Sequence, residues 1–130
     1  SGASPGSKLS KGVLKYLKES GIVADENILL YVDSSISLNL TKLAILTNKN
    51  IISYESKSQR INKIPVNQIK GVTGKKSWGT FHIVITPKVE EIYEMKIEIR
   101  PNKDGVLFLT RLKQEISAKN AYKKHLQGKD

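Results

Sequence analysis

The sequence feature that most constrains the fold is a pair of apolar runs separated by a short polar turn. Residues 43–47 and 51–55 are rich in β-branched and aromatic side chains, and Asn48, Lys49 and Asn50 lie between them. Asn tolerates the left-handed backbone that tight hairpin turns require, whereas β-branched residues favour extended strands. The pattern therefore predicts two antiparallel strands joined by a tight turn.

Further strands are predicted on both sides of this hairpin. The clearest one lies within residues 93–99, where apolar and charged side chains alternate strictly. This alternation places Tyr93, Met95, Ile97 and Ile99 on one face and indicates an antiparallel sheet with one solvated face. The other predicted strands cover residues 28–32, 60–64, 70–75 and 81–86, which gives seven strands in all.

Two helices are predicted, one at each end of these strands. Within residues 8–21, one helical arc carries the apolar residues and another carries the lysines; the apolar residues are Leu9, Val13, Tyr16 and Leu17. Such a helix either lies on a membrane or packs on the domain, and the absence of Trp and Phe from its apolar arc favours packing. In the second helix, Leu109, Leu112 and Ile116 recur at helical spacing, as expected of a helix that covers the mouth of a barrel.

The length and the residue usage indicate one domain. We interpret residues 1–7 as a flexible leader or cloning remnant, 8–21 as the first helix, 25–120 as the domain and 121–130 as a basic tail. The chain contains no cysteine, which excludes disulfides and thiolate metal sites and fits a reducing compartment. No apolar run is long enough to span a bilayer. The expected location is the cytoplasm, with peripheral attachment to a membrane as an option.

The charge is strongly basic and unevenly distributed. The net charge is +10, and residues 41–88 hold nine basic residues against a single acid, Glu55. A basic field of this kind favours anionic partners, which include phospholipid head groups, nucleic acids and acidic protein surfaces.

No catalytic or metal-binding arrangement is recognisable in the sequence. The two histidines, His82 and His125, are 43 positions apart, and neither has an acidic residue at ligand spacing. The glycines at 71, 74 and 79 lack the strand–loop–helix context of a phosphate-binding loop. The sequence therefore predicts a protein that is not an enzyme, with no cofactor and no metal.

Two segments carry a family resemblance. Residues 46–54 (Leu-Thr-Asn-Lys-Asn-Ile-Ile-Ser-Tyr) and 64–72 (Ile-Pro-Val-Asn-Gln-Ile-Lys-Gly-Val) resemble bacterial pleckstrin-homology-like (PH-like) and GRAM-like domains, although Asn50 stands where such domains often carry Arg. The resemblance implies a mainly β (α+β) fold. It predicts a PH-like barrel of seven antiparallel strands in two near-orthogonal sheets, capped by the C-terminal helix and preceded by a short N-terminal helix.

The resemblance also implies a binding function. Phosphoinositide-binding PH domains resemble one another in a basic first loop, but the corresponding residues 33–42 here carry an acid and a single lysine. The candidate residues for binding anions or lipids therefore lie elsewhere: Lys57, Arg60, Lys63, Lys70, Lys75, Lys76 and Trp78. Trp78 either inserts into a membrane interface or folds back over the barrel.

We expect a non-catalytic PH-like module for protein interaction or assembly, in which an edge strand or the groove beside the C-terminal helix takes up a peptide. Peripheral binding to anionic phospholipid membranes is the alternative. Nonspecific nucleic-acid binding ranks below both, because bases stack on exposed aromatic side chains. Tyr31, Tyr54, Phe81 and Tyr93 are all predicted to lie in the core instead.

Overall fold

The computed structural model describes residues 3–6, 9–35 and 39–128. Parts of several predictions lie outside these residues: positions 1, 2 and 7 of the leader, Lys8 of the first helix, loop residues 36–38, and positions 129 and 130 of the tail. The elements are β1 (Ala3–Pro5), α1 (Lys11–Glu19), β2 (Ile28–Asp33), β3 (Lys42–Thr47), β4 (Asn50–Glu55), β5 (Arg60–Pro65), a 3-10 turn (Val66–Gln68), β6 (Ile69–Ser77), β7 (Thr80–Pro87), β8 (Met95–Ile99) and α2 (Asn102–Gln127).

The strands form two antiparallel sheets. One sheet has the order β1-β2-β3-β4-β5 and the other has the order β6-β7-β8. The predicted α+β class with a C-terminal helix is thus confirmed. The predicted closed barrel of seven strands is not, because the described residues form eight strands in two separate sheets. The additional strand is β1, whose residues Ala3–Pro5 pair with β2 although the sequence indicated a leader.

The main core lies between the two sheets and α2. Phe108 and Leu112 of α2 are fully buried among strand residues that include Ile83 and Ile99. The helix approaches the three-stranded sheet closely, since a Cβ added to Gly105 would lie 2.3 Å from the Cβ of Phe81. Only glycine allows this approach, and α2 is thereby fixed against β7.

A second core lies on the opposite face of the five-stranded sheet, under α1. Leu17 of α1 is buried there with Leu43, Ile45 and Ile52. Because α1 covers this face, β3 is buried on both faces, where the sequence suggested that sheets would have one solvated face. The lysines of α1 are exposed. The helix thus packs on the domain, as the favoured interpretation of its sequence stated.

Helix α2 continues well past the core. Its 26 residues span about 39 Å, but its buried residues end at Leu112. The residues after Ile116 are nearly all exposed, and the segment predicted as a basic tail remains helical to Gln127. One predicted core residue is misplaced: Tyr93 precedes β8 and its side chain is 89% exposed.

Candidate binding surface

The turn between β3 and β4, which carries part of the family resemblance, has a structural role. The buried Glu26 accepts hydrogen bonds from the Thr47 hydroxyl and from Asn50 Nδ2, the latter at 2.8 Å. Thr47 Oγ1 in turn accepts from the backbone N–H groups of Lys49 and Asn50 at 3.0 and 2.8 Å. These bonds satisfy polar groups of the turn, so this part of the motif stabilises the fold.

The hairpin between β6 and β7 ends in a two-residue turn that presents Trp78. Trp78 has φ +48° and Gly79 has φ +79°, as a type I′ turn requires. Gly adopts this conformation readily, whereas it is energetically unfavourable for Trp because the Trp Cβ crowds the backbone. The Trp78 side chain is completely exposed. It therefore does not fold back over the sheets.

Four cationic residues lie at the end of the sheet that carries Trp78. Lys75 and Lys76 pair with His82 and Phe81 across the hairpin. Arg100 Nε donates to Thr80 Oγ1 at 2.8 Å, and Lys103 lies in the first turn of α2, which packs on Phe81 through Gly105. We call this group the tip cluster, and it comprises Trp78, Lys75, Lys76, Arg100 and Lys103.

Arg100 and Lys103 were not among the predicted site residues. The available signal was the antiparallel order of β7 and β8, because the residue after β8 must then lie beside the start of β7. At the far end of β7, the loop before β8 holds the exposed residues Glu90, Glu91 and Glu94. These acids lie at the end of the sheet that also carries Lys70 and Lys88, so that end is mixed in charge whereas the Trp78 end is basic.

The remaining predicted site residues are not part of the tip cluster. Lys57 and Arg60 lie at the turn between β4 and β5, where Arg60 pairs with Glu55. Lys63 Nζ donates to the carbonyl oxygen of Gly21 at 2.8 Å, which connects β5 to the segment after α1. Lys70 lies at the start of β6, at the end opposite to Trp78.

Strand β6 is an edge strand over nine residues. It pairs with β7 alone, and no other described strand pairs with its second edge. Ladder hydrogen bonds alternate along an antiparallel strand, so every second residue directs its N–H and C=O groups to the open edge. Counted from the Ser77–Thr80 pair that closes the turn, these residues are Val72, Gly74 and Lys76.

Helix α2 packs beside this open edge, and we call the surface between them the β6 groove. Gly74 faces the helix, because a Cβ added to Gly74 would lie 2.6 Å from Leu109 Cδ2. Val106 and Lys113 lie three residues before and four residues after Leu109, and therefore on the same side of the helix. Both are exposed. The groove thus has an apolar residue and a cation on the helix side, and unpaired backbone groups on the strand side.

The titratable groups of this region form one contact across the sheet. His82 Nδ1 lies 3.7 Å from Glu98 Oε1 on the face that also carries Lys75, and both side chains are partly exposed. Within the described ranges, no three histidine, cysteine or acidic residues are grouped closely enough to hold a metal ion. The described helices include none with the length and apolarity needed to cross a bilayer.

Comparison with known proteins identifies one family. The family model of the bacterial PH domain matches residues 22–122, which includes every strand from β2 to β8 and most of α2. No curated protein and no solved structure matches the chain.

Proposed function

The chain belongs to the bacterial PH domain family, and from this membership we propose that it is a non-catalytic binding module that takes up an extended acidic peptide along β6. The observation that carries this proposal is the open edge of β6 beside α2. A peptide added as a further strand gains main-chain hydrogen bonds to the edge residues, and its alternate side chains enter the groove.

The charges of the strand favour an acidic peptide. Lys70, Lys75 and Lys76 are exposed on β6, and Lys113 lies across the groove on α2. The described part of β6 contains no acidic residue that would neutralise them. An acidic peptide is therefore attracted, whereas a basic one is repelled.

Hydrogen exchange tests this proposal with a short peptide of alternating Glu and Val. The matched peptide with Lys in place of Glu is the control. On binding of the acidic peptide, hydrogen exchange should slow by a factor of about ten or more at the amides of Val72, Gly74 and Lys76, because a hydrogen-bonded amide exchanges only when its bond opens. Protection confined to other elements, or equal protection by both peptides, would contradict the proposal.

Two exposed apolar residues of α2 provide a matched pair of variants. Val106→Glu places an acid in the groove and should weaken binding of the acidic peptide about tenfold or more, since like charges repel across a partly desolvated contact. Leu107→Glu makes the same change on another side of the helix and should have little effect. Equal losses in the two variants would exclude the groove.

A second function is favoured by a different observation, the exposure of Trp78 at the tip. An indole is well accommodated at a membrane interface, and each nearby Lys or Arg contributes about 1 kcal/mol of attraction to an anionic leaflet. In this second proposal the tip cluster docks the domain on an anionic phospholipid surface in the cytoplasm. The membrane role thus depends on Trp78, whereas the peptide role depends on the β6 edge.

Trp78 is the only tryptophan in the chain, so its emission reports directly on the tip. With vesicles of phosphatidylserine and phosphatidylcholine, we expect a blue shift that disappears at high salt and with phosphatidylcholine alone. Lys75→Glu/Lys76→Glu should abolish the shift, and Lys88→Glu, at the other end of β7, should retain it. An unchanged shift in the double variant rules out docking through the tip. Retention of duplex DNA at physiological salt would instead support nucleic-acid binding.

A further inference from the structure

A pocket of about 360 Å³ lies on the side of the five-stranded sheet that α1 covers. Its walls come from α1, from β3 and β4, and from the loop that precedes β3. Most of this lining is apolar, and it includes Val13 and Leu17 of the helix, Leu43 of β3 and Leu40 of the loop. The pocket is separate from the tip cluster and from the β6 groove. Its size falls in the range of small-molecule sites, and it is about twice the ~150 Å³ cavity that holds benzene in an engineered protein.

Two tyrosine hydroxyls supply the main polar feature of the pocket. Tyr16 of α1 and Tyr54 of β4 both line it, and their hydroxyl oxygens lie 3.2 Å apart. Only one proton can lie between two hydroxyl oxygens, so the proton of the second hydroxyl points elsewhere. Among the described residues neither hydroxyl makes another hydrogen bond. The pair therefore offers one free donor to a bound molecule.

The Tyr54 hydroxyl retains its proton over the physiological range. The hydrogen bond with Tyr16, together with burial, raises the pKa of Tyr54 to about 12 because both favour the protonated phenol. A protonated phenol donates to a neutral or anionic oxygen, whereas a phenolate could only accept. This state of the pair is suited to an acceptor oxygen on the ligand.

Part of the pocket rim is held by a buried carboxylate. Leu40 has φ +62°, a conformation that is unfavourable for any residue with a Cβ atom, and its N–H donates to Asp33 Oδ2 at 3.0 Å. Asp33 is buried, and its other carboxylate oxygen accepts from the N–H of Ser35 at 2.9 Å. The Asp33 carboxylate thus holds the backbone N–H groups of Ser35 and Leu40, and Leu40 lines the pocket. Such preorganisation lowers the entropic cost of binding.

We propose that this pocket binds a small, mainly apolar organic molecule that carries one hydrogen-bond-accepting oxygen directed at the Tyr16–Tyr54 hydroxyl pair. The apolar body replaces water against Val13, Leu17, Leu40 and Leu43, and the oxygen accepts the free hydroxyl proton. Neither the peptide site nor the membrane site is needed for this binding.

A pair of probes that differ in one oxygen tests the proposal. 2-Acetylnaphthalene has the acceptor oxygen, and 2-ethylnaphthalene has the same ring system without it. In amide chemical-shift titrations of the intact chain, we expect saturable shifts at α1, β3 and β4 with both probes. The acetyl compound should bind about tenfold more tightly, because the net contribution of one hydrogen bond corresponds to roughly that factor.

Two test variants and one control variant keep the test decisive. Tyr16→Phe/Tyr54→Phe removes both hydroxyls while retaining both rings, and it should make the two probes bind equally. Gly12→Leu fills the pocket from α1, where an added Cβ meets no atom within 4 Å, and it should abolish binding of both probes. Lys15→Leu adds an apolar side chain to an exposed site on the same helix outside the pocket and should leave binding unchanged. Absence of saturable shifts, or a preference for the acetyl compound that survives loss of both hydroxyls, would overturn the proposal.

Discussion

Replacement of Trp78 by Asn should stabilise the domain while removing membrane docking. Trp78 has φ +48°, and left-handed backbone costs a residue other than glycine about 1–2 kcal/mol. Asn is among the residues preferred at this position of a type I′ turn, and the energetic cost is smaller for Asn than for Trp. Because the indole is completely exposed, its removal sacrifices no buried area. The expected gain in the free energy of unfolding is about 0.5–1.5 kcal/mol.

The gain is measurable by urea unfolding followed by far-ultraviolet circular dichroism, which needs no tryptophan signal. For a chain of this size we expect the melting temperature to rise by roughly 2–6 °C. Trp78→Ala is the matched control. Left-handed backbone is also unfavourable for Ala, so this variant should lose the indole but retain the backbone strain. Its free energy of unfolding should therefore be close to that of the wild type.

Binding should change in the opposite direction. Trp78→Asn and Trp78→Ala both remove the indole and should lower the affinity for phosphatidylserine-containing vesicles by similar factors, as measured by co-sedimentation. If Trp78→Asn is no more stable than Trp78→Ala, the turn is not strained and the physical basis of this prediction is wrong. If both variants bind vesicles as the wild type does, the indole plays no part in docking.

Three further predictions concern the interior. Thr47→Val keeps the side-chain volume but removes the hydroxyl that donates to the buried Glu26, and it should lower the free energy of unfolding by about 2–4 kcal/mol. Thr47→Ser retains the hydroxyl and should lower it less. If denaturant unfolding ranks the two variants the other way, the Thr47 hydroxyl does not stabilise the turn. Gly105→Ala should cost about 1–3 kcal/mol or more because the new methyl group meets Phe81, whereas Gly12→Ala, in open space, should be neutral or stabilising by the same assay. Ultraviolet titration should show one tyrosine ionising near pH 12, and Tyr54→Phe should remove it. Because the raised pKa belongs to the folded state, its contribution to stability is complete below pH 10 and is lost between about pH 10 and pH 12; an unchanged titration in the variant would refute the assignment.

Local periodicity predicted most elements of the fold correctly, because the period of a strand or a helix is set by the geometry of its own backbone. The strands from β2 to β8 and both helices lie where the pattern of apolar residues indicated. Closure into a barrel could not be predicted in this way. Pairing between strands that are distant in the sequence depends on edges and twist, which no local pattern specifies.

The incorrect predictions have the same origin. Tyr93 continues the alternation of β8 but precedes its first paired residue, Met95, so it lies in solvent. Ala3–Pro5 has the composition of a leader, but it forms a strand because it pairs with the edge of β2. In both cases the outcome depended on which residues a neighbouring strand pairs with, which the local pattern does not specify.

The candidate site was predicted only in part for a related reason. Lys75, Lys76 and Trp78 are adjacent in sequence, so a single hairpin sufficed to group them. Arg100 and Lys103 join them through antiparallel pairing and through the packing of α2. The hydrogen bond of Lys63 could not be predicted either, since its partner is the carbonyl group of Gly21 in a distant segment.

The double-sided burial of β3 has a practical consequence for work on this family. The family match begins at residue 22, but the face formed by Leu43, Ile45 and Ile52 is covered by Leu17, which precedes that boundary. A protein expressed from residue 22 onward would expose this hydrophobic face to the solvent, and such surfaces promote self-association. In this chain the smallest unit that remains dispersed at high concentration must therefore begin ahead of the homologous region.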